Sequence, residues 1–160
     1  MAKHKALFLD RDGVVNHDDG YTHRVDDVRY MDGVFDFCRR AKASGFLIFI
    51  ITNQAGIARG YYSEAQFHRL MQAMQARFEK EGAGLSGYYF CPHHPEFTGE
   101  CSCRKPRPGM ILQAAREHGL ALGESMLIGD KPSDIEAGRA AGVGRCEMFD
   151  GTWPEIVTSY

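Results

Sequence analysis

An unbroken apolar run, Ala6-Leu7-Phe8-Leu9, stops at two carboxylates one residue apart in Asp10-Arg11-Asp12-Gly13. A strand without polar alternation is covered on both faces, which points to a parallel sheet flanked by helices. Asp10 then falls at the carboxyl end of its strand, where open α/β sheets hold their ligands. Side chains two apart along an extended segment point the same way, so Asp10 and Asp12 converge, and Gly13 lets the backbone bend around whatever they hold. Carboxylates this close repel unless a cation or a shared proton lies between them. Alone, the Asp-x-Asp pair fits a solvated turn with a helix-capping aspartate equally well.

Four further short segments read as strands: Phe46 to Thr52, Tyr88 to Cys91, Ser125 to Ile128 and Arg145 to Phe149. Helical patterns separate them. One covers Val34 to Ala43 and ends at Gly45; another opens at the capping-box sequence Ser63-Glu64-Ala65-Gln66 and runs to about Lys80. In that second helix Phe67, Leu70, Met71, Met74 and Phe78 repeat at helical spacing and read as core. Pro108 starts a third helix, and a fourth runs from Asp134 to near Gly142. Five strands with helical crossovers predict an α/β, doubly wound, Rossmann-like parallel sheet. With the strand order 3-2-1-4-5, strands one and four flank the switch point, and Asp130 arrives beside Asp10 as a candidate third metal carboxylate.

At 160 residues the expectation is one domain spanning 1–160. Nineteen Lys and Arg against 21 Asp and Glu give a net charge of −2, with no basic run longer than two residues, which argues against a nucleic-acid partner. The longest apolar stretch, Phe46 to Ile51, is too short to cross a membrane, and Met1-Ala2-Lys3-His4-Lys5 leads straight into the first strand with no room for a signal peptide. A soluble cytoplasmic protein is expected.

The five cysteines, an odd number, favour thiol or metal roles over a disulfide framework. Cys91-x-His93 and Cys101-x-Cys103 place four ligands within thirteen residues, enough for a closed tetrahedral zinc shell. The spacing is not that of the common C-x-x-C finger, and reduced surface thiols are the competing reading. His94 competes with His93 as ligand. Cys38 and Cys146 read as buried small hydrophobes. Residues 91–107 are polar and proline-rich, so a metal cross-link there would stabilise the loop and aim Arg104 and Lys105.

Asp10-Arg11-Asp12-Gly13-Val14, Thr52-Asn53-Gln54, Arg104-Lys105-Pro106 and Gly129-Asp130 with Asp134 resemble, in order and spacing, the four motifs of the haloacid dehalogenase-like phosphatases. Within that superfamily, Gly20-Tyr21-Thr22-His23, Thr52 to Gly60 and Cys91-Pro92-His93-His94-Pro95 resemble the D-glycero-D-manno-heptose 1,7-bisphosphate phosphatases over nearly the whole chain. The short segment from His93 to Cys101 is closer to the histidinol-phosphate phosphatases, which keeps that activity as the alternative. A non-catalytic zinc-bearing binding module is the alternative of another class.

The resemblance implies Asp10 as nucleophile, Asp12 as acid and then base, and Thr52 and Lys105 as stabilisers of the transferred phosphoryl group. It implies Mg²⁺ held by Asp10, Asp130 and the backbone carbonyl of Asp12, and structural Zn²⁺ on Cys91, His93, Cys101 and Cys103. Asp134 is expected to cap its helix and brace the site. The implied substrate contacts are Arg11, Asp18, Asp19, Gly20, Tyr21, Asn53, Gln54 and Ala55, with Arg59, Arg104 and Lys131 as candidates for a second phosphate or sugar hydroxyls. The segments after strands one and two are too short for a separate cap domain, so an open site is expected. The implied reaction is removal of the C7 phosphate of heptose 1,7-bisphosphate on the route to nucleotide-activated heptose for lipopolysaccharide core or other surface polysaccharide. The expected partner is a small-molecule sugar phosphate, and the expected state a monomer.

Overall fold

The computed structural model describes residues 3–156, so Met1 and Ala2 of the N-terminal run lie outside the described residues. Five strands, β1 (Lys5–Leu9), β2 (Phe46–Asn53), β3 (Gly87–Cys91), β4 (Met126–Gly129) and β5 (Arg145–Met148), form one sheet in the order β3-β2-β1-β4-β5. Every pairing is parallel, with Leu9 opposite both Ile50 of β2 and Ile128 of β4. This matches the 3-2-1-4-5 order under which Asp130 is expected beside Asp10, and it places β1 and β4 side by side at the switch point.

The helices are α1 (Val34–Ala43), α2 (Ala55–Ala58), α3 (Glu64–Lys80), α4 (Pro95–Thr98), α5 (Gly109–His118) and α6 (Pro132–Ala141). Alternate residues of the apolar strands feed two cores. Leu7, Leu9, Ile48 and Ile50 pack with Phe37 of α1 and with Phe67, Met71, Met74 and Phe78 of α3. Ala6, Phe8, Phe49 and Ile51 pack on the other face with Met110, Ile111 and Ala114 of α5 and Ala137 of α6. Each buried Leu, Ile or Phe contributes about 1.5–3 kcal/mol, which holds the strand ends in fixed register.

The capping box at Ser63 forms as predicted, its hydroxyl accepting the Gln66 N–H while the Gln66 side chain accepts the Ser63 N–H. Helix α6 starts two residues earlier than predicted, at Pro132, and Asp134 sits in its first turn. The four-residue helices α2 and α4 were not predicted, because one turn carries no hydrophobic period. Cys38 is fully buried, whereas Cys146 is only partly covered, its sulfur packed against Gly138. No helix among the described residues is long and apolar enough to cross a membrane.

Candidate active site

Asp10 follows directly on β1, its N–H continuing the ladder to the Ile128 carbonyl at 3.1 Å. The chain then turns at Gly13, whose φ is +98° and where a Cβ would lie 2.0 Å from Asp130 Oδ2. Only glycine fits that turn, and its lack of a side chain brings the Asp130 carboxylate in from the end of β4.

Asp10 Oδ1 accepts the Lys105 ammonium at 2.8 Å and the Arg11 N–H at 2.9 Å. Lys105, only 4% exposed, also donates to the Ile51 carbonyl at 3.1 Å and pairs with Asp134 Oδ1 at 2.6 Å, so its three donors are all engaged. Asp134 Oδ2 accepts the N–H groups of Asp130 and Lys131, both at 3.1 Å, in the capping and bracing role expected of it. Burial pushes the Asp10 carboxyl up to about 8, opposed by Lys105 and reinforced by Asp134. Burial works against the Lys105 ammonium too, but Asp10 and Asp134 outweigh it and hold the charge in place.

Carboxylate oxygens of Asp10, Asp130 and Asp134 lie within 4.8 Å of one another. Three carboxyl groups face one ammonium, and Asp130 Oδ1 is buried with no hydrogen-bond partner among the described residues. An oxygen-only cluster in which carboxyl groups outnumber the ammonium and one acceptor is orphaned fits a hard divalent cation. The Asp12 side chain stands outside this cluster. Its carboxylate accepts from Arg11 Nη2 at 3.1 Å, Asn16 Nδ2 at 3.0 Å and Gln54 Nε2 at 3.3 Å.

Two adjoining spaces open over these groups. A cavity of about 50 Å³ is lined by Asp10, Asp12, Thr52, Lys105 and Asp134 among others. A wider cleft of about 600 Å³ shares Asp12, Asn53, Lys105 and Lys131 with it and adds Asp18, Gly20, Tyr21, Gln54, Ala55 and Arg104. Tyr21 keeps a left-handed backbone, φ +50°, and rests edge-on against Tyr61 at 4.8 Å. Ser133 and Tyr62 also line the cleft. Both escaped the sequence reading. Ser133 could have been read from its place between Asp130 and Asp134, but nothing local marks Tyr62.

Three predicted substrate contacts lie elsewhere. Arg11 is wholly buried: its guanidinium holds Asp12, donates to the Thr22 carbonyl at 2.7 Å and lies 5.7 Å from the centre of the Phe67 ring. Its length lets it reach inward to an unpaired carboxylate instead of outward to solvent. Asp19 is paired with Arg29, Oδ2 accepting Nε at 2.9 Å, and does not line the cleft. Arg59 stacks its guanidinium 5.0 Å from the Phe97 ring, on the helix α4 that the sequence reading did not contain.

The Cys91 and Cys101 sulfurs are 3.4 Å apart, and His93 Nδ1 lies 3.4 Å from Cys103 and 3.6 Å from Cys91. A tetrahedron of Zn–S bonds has edges of about 3.8 Å; the Cys91 and Cys103 sulfurs, at 2.6 Å, lie closer than that, so it is the donor set, three thiols and an imidazole within 4.8 Å of one another, that suits zinc. Burial drives the Cys91 and Cys103 thiols up. At Cys101 burial acts the same way, but the Arg104 N–H and the neighbouring thiols outweigh it and draw that thiol down to about 6. His94 is turned away: it caps α4, its Nδ1 accepting the Glu96 N–H at 3.1 Å.

Residues 102–148 match the HAD-hydrolase-like family model. The chain is 53% identical over 147 residues to a D-glycero-α-D-manno-heptose-1,7-bisphosphate 7-phosphatase of Burkholderia mallei, covering 89% of this chain and 78% of that protein. It is 48% identical over 144 residues to the corresponding β-named enzyme of Yersinia pestis, covering 87% and 77%. Among solved structures, it superposes with TM-score 0.81 and 32% identity on a D,D-heptose 1,7-bisphosphate phosphatase of B. bronchiseptica complexed with magnesium and phosphate, covering 88% of this chain and 78% of that one. A HAD-like phosphatase of Mesorhizobium loti gives TM-score 0.82 at 32% identity, covering 88% and 69%. Identity of 48–53% over 87–89% of the chain settles the relationship: the chain belongs to the D-glycero-D-manno-heptose-1,7-bisphosphate 7-phosphatase family of HAD-like hydrolases.

Proposed function

We propose that this chain hydrolyses the C7 phosphate of D-glycero-D-manno-heptose 1,7-bisphosphate, releasing heptose 1-phosphate, as a single domain carrying a Mg²⁺ site and a structural Zn²⁺ site. The observation that carries the reading is the state of Asp10 at the floor of the cleft: Lys105 and the Arg11 N–H both engage Oδ1, which leaves Oδ2 to attack. Asp10 Oδ2 forms a bond to phosphorus as the ester P–O bond to C7 breaks, and Asp12 gives its proton to the departing alkoxide. Water then attacks the aspartyl-phosphate, returns a proton to Asp12 and frees inorganic phosphate and Asp10. Lys105 holds the nucleophile in place, and Thr52 offers its hydroxyl to a phosphoryl oxygen.

Asp10, Asp130 and the backbone carbonyl of Asp12 would hold the Mg²⁺, which when bound offsets the surplus carboxylate charge and that of the phosphoryl oxygens. Cys91, His93, Cys101 and Cys103 would hold the zinc; the ordered loop presents Arg104, and the start of α6 presents Lys131, across the cleft to the C1 phosphate and sugar hydroxyls. All these groups come from one copy of the chain, so the reading requires no second subunit. A reduced thiolate cluster suits the cytoplasm. The product would feed nucleotide-activated heptose for surface polysaccharide.

The test is phosphate release from the α and β heptose 1,7-bisphosphates, heptose 7-phosphate and histidinol phosphate. A heptose bisphosphate is expected to give the highest kcat/KM, and Asp10→Asn to abolish turnover without unfolding the protein. Histidinol phosphate as best substrate would overturn the substrate assignment, and wild-type rates in Asp10→Asn would overturn the mechanism.

A further inference from the structure

Tyr62, at the edge of the cleft but only 5% exposed, donates its hydroxyl to Gln54 Oε1. Gln54 in turn donates through Nε2 to Thr52 Oγ1 at 2.8 Å and to Asp12 Oδ2 at 3.3 Å. The polarity of this chain is set at its far end. The Asp12 oxygen that faces Gln54, Oδ2, accepts from Arg11 Nη2 at 3.1 Å, so the Gln54 atom presented to it is the nitrogen, the oxygen faces Tyr62, and Tyr62 donates. Burial pushes the Tyr62 phenol up to about 12, which keeps its proton in place. The ring itself has little freedom. It stacks on His23 at 4.8 Å with 5° between the planes, and a Cβ at Gly56 of α2 would lie 2.3 Å from Tyr62 Cε1.

We infer that Tyr62 is a positioning residue that acts through Gln54, fixing the Gln54 carboxamide so that Thr52 presents its hydroxyl proton to the phosphoryl group and Asp12 keeps its place beside the leaving oxygen. Gln54 fills an acceptor site of the Thr52 hydroxyl, and the nearest alternative acceptor, the Asn53 carbonyl at 3.4 Å, is beyond the usual O–H···O range. The Thr52 proton is thereby free for the 50 Å³ cavity that Thr52 lines. A rotated Gln54 would set oxygen against oxygen at Asp12 and leave the Tyr62 proton without its acceptor, so Asp12 and Tyr62 hold the carboxamide from its two ends. The inference rests on the roles given above to Thr52 and Asp12, and it extends the catalytic apparatus by one buried phenol.

The experiment is a double-mutant cycle in kcat and KM on heptose 1,7-bisphosphate, with wild type and Asp10→Asn as references. Tyr62→Phe keeps the ring and its stacking but removes the donor; it is expected to lower kcat about tenfold while KM stays within about twofold. In a Gln54→Met background the same substitution should change kcat less than about twofold, because the group it acts through is gone. If Gln54→Met does not fold, Thr52→Val supplies a second background, in which the loss should shrink to the part carried through Asp12. A Tyr62→Phe enzyme with wild-type kcat, or the same fractional loss in all backgrounds, would overturn the inference while active wild type and dead Asp10→Asn left the catalytic reading standing. A wild type that releases no phosphate overturns both.

Discussion

Asn53 and Lys105 are joined backbone to side chain in both directions: Asn53 Oδ1 accepts the Lys105 N–H at 3.0 Å, and Asn53 Nδ2 donates to the Lys105 carbonyl at 3.3 Å. The end of β2 thus clamps the loop that follows Cys103, directly at the residue whose ammonium holds Asp10. Asn53 also lines the cleft, but both ends of its carboxamide already serve this clamp.

Asn53→Ala should therefore act on catalysis through Lys105. Two hydrogen bonds at a partly buried site are lost, worth about 1 kcal/mol each. The expected outcome is a fall in kcat of about tenfold and a lower urea midpoint, with zinc content unchanged. A variant that loses only substrate affinity, with kcat intact, would show that Asn53 works as a substrate contact instead.

Lys105→Met leaves Asp10 and Asp134 facing each other without their shared ammonium. Removing one partner of a buried ion pair costs about 3–5 kcal/mol, and here two carboxylates are left behind. Turnover should vanish, and urea denaturation should show a destabilisation that saturating Mg²⁺ partly reverses. A loss independent of Mg²⁺ would argue that the carboxylate cluster does not take the cation.

The two metals should separate by affinity. A mild chelator is expected to stop catalysis reversibly by withdrawing Mg²⁺ while elemental analysis still finds about one zinc per chain. Cys101→Ser should lose the zinc, open residues 91–107 to limited proteolysis and raise KM. Protein purified without chelators that contains no zinc, together with an unaltered Cys101→Ser enzyme, would remove the structural-zinc assignment.

Arg104 and Arg59 now make different predictions. Arg104 lines the cleft, its Nη1 only 3.3 Å from the His93 carbonyl, whereas Arg59 is stacked on Phe97 away from it. A charge-assisted contact to the second phosphate is worth about 1.5–3 kcal/mol, so Arg104→Ala should cut the preference for bisphosphate over monophosphate by roughly ten- to hundredfold. Arg59→Ala should change that ratio less than about threefold. Equal losses on both substrates in Arg104→Ala would instead place Arg104 at the transferred phosphoryl group.

Much of this protein was legible in the linear sequence because the relevant physics is local. Apolar runs such as Leu7 to Leu9 and Phe46 to Ile51 can only be buried strands, the Ser63 capping box forms within four residues, and carboxylates at strand ends are placed by connectivity alone. From those follow the parallel sheet and, under the 3-2-1-4-5 order, the meeting of Asp10 with Asp130, while ligand spacing groups three cysteines with His93. Partner choice among long side chains was not legible. Arg11 turned inward to Asp12, Asp19 went to Arg29, and Arg59 found Phe97, each settled by which group the packed chain brought within reach. The role of Tyr62 depends on Gln54, eight residues away, and on Asp12, fifty away. A side chain's period and polarity can be read along the sequence, but its hydrogen-bond partners exist only after the backbone has closed around it, because a buried donor or acceptor takes whatever complementary group the tertiary fold leaves beside it.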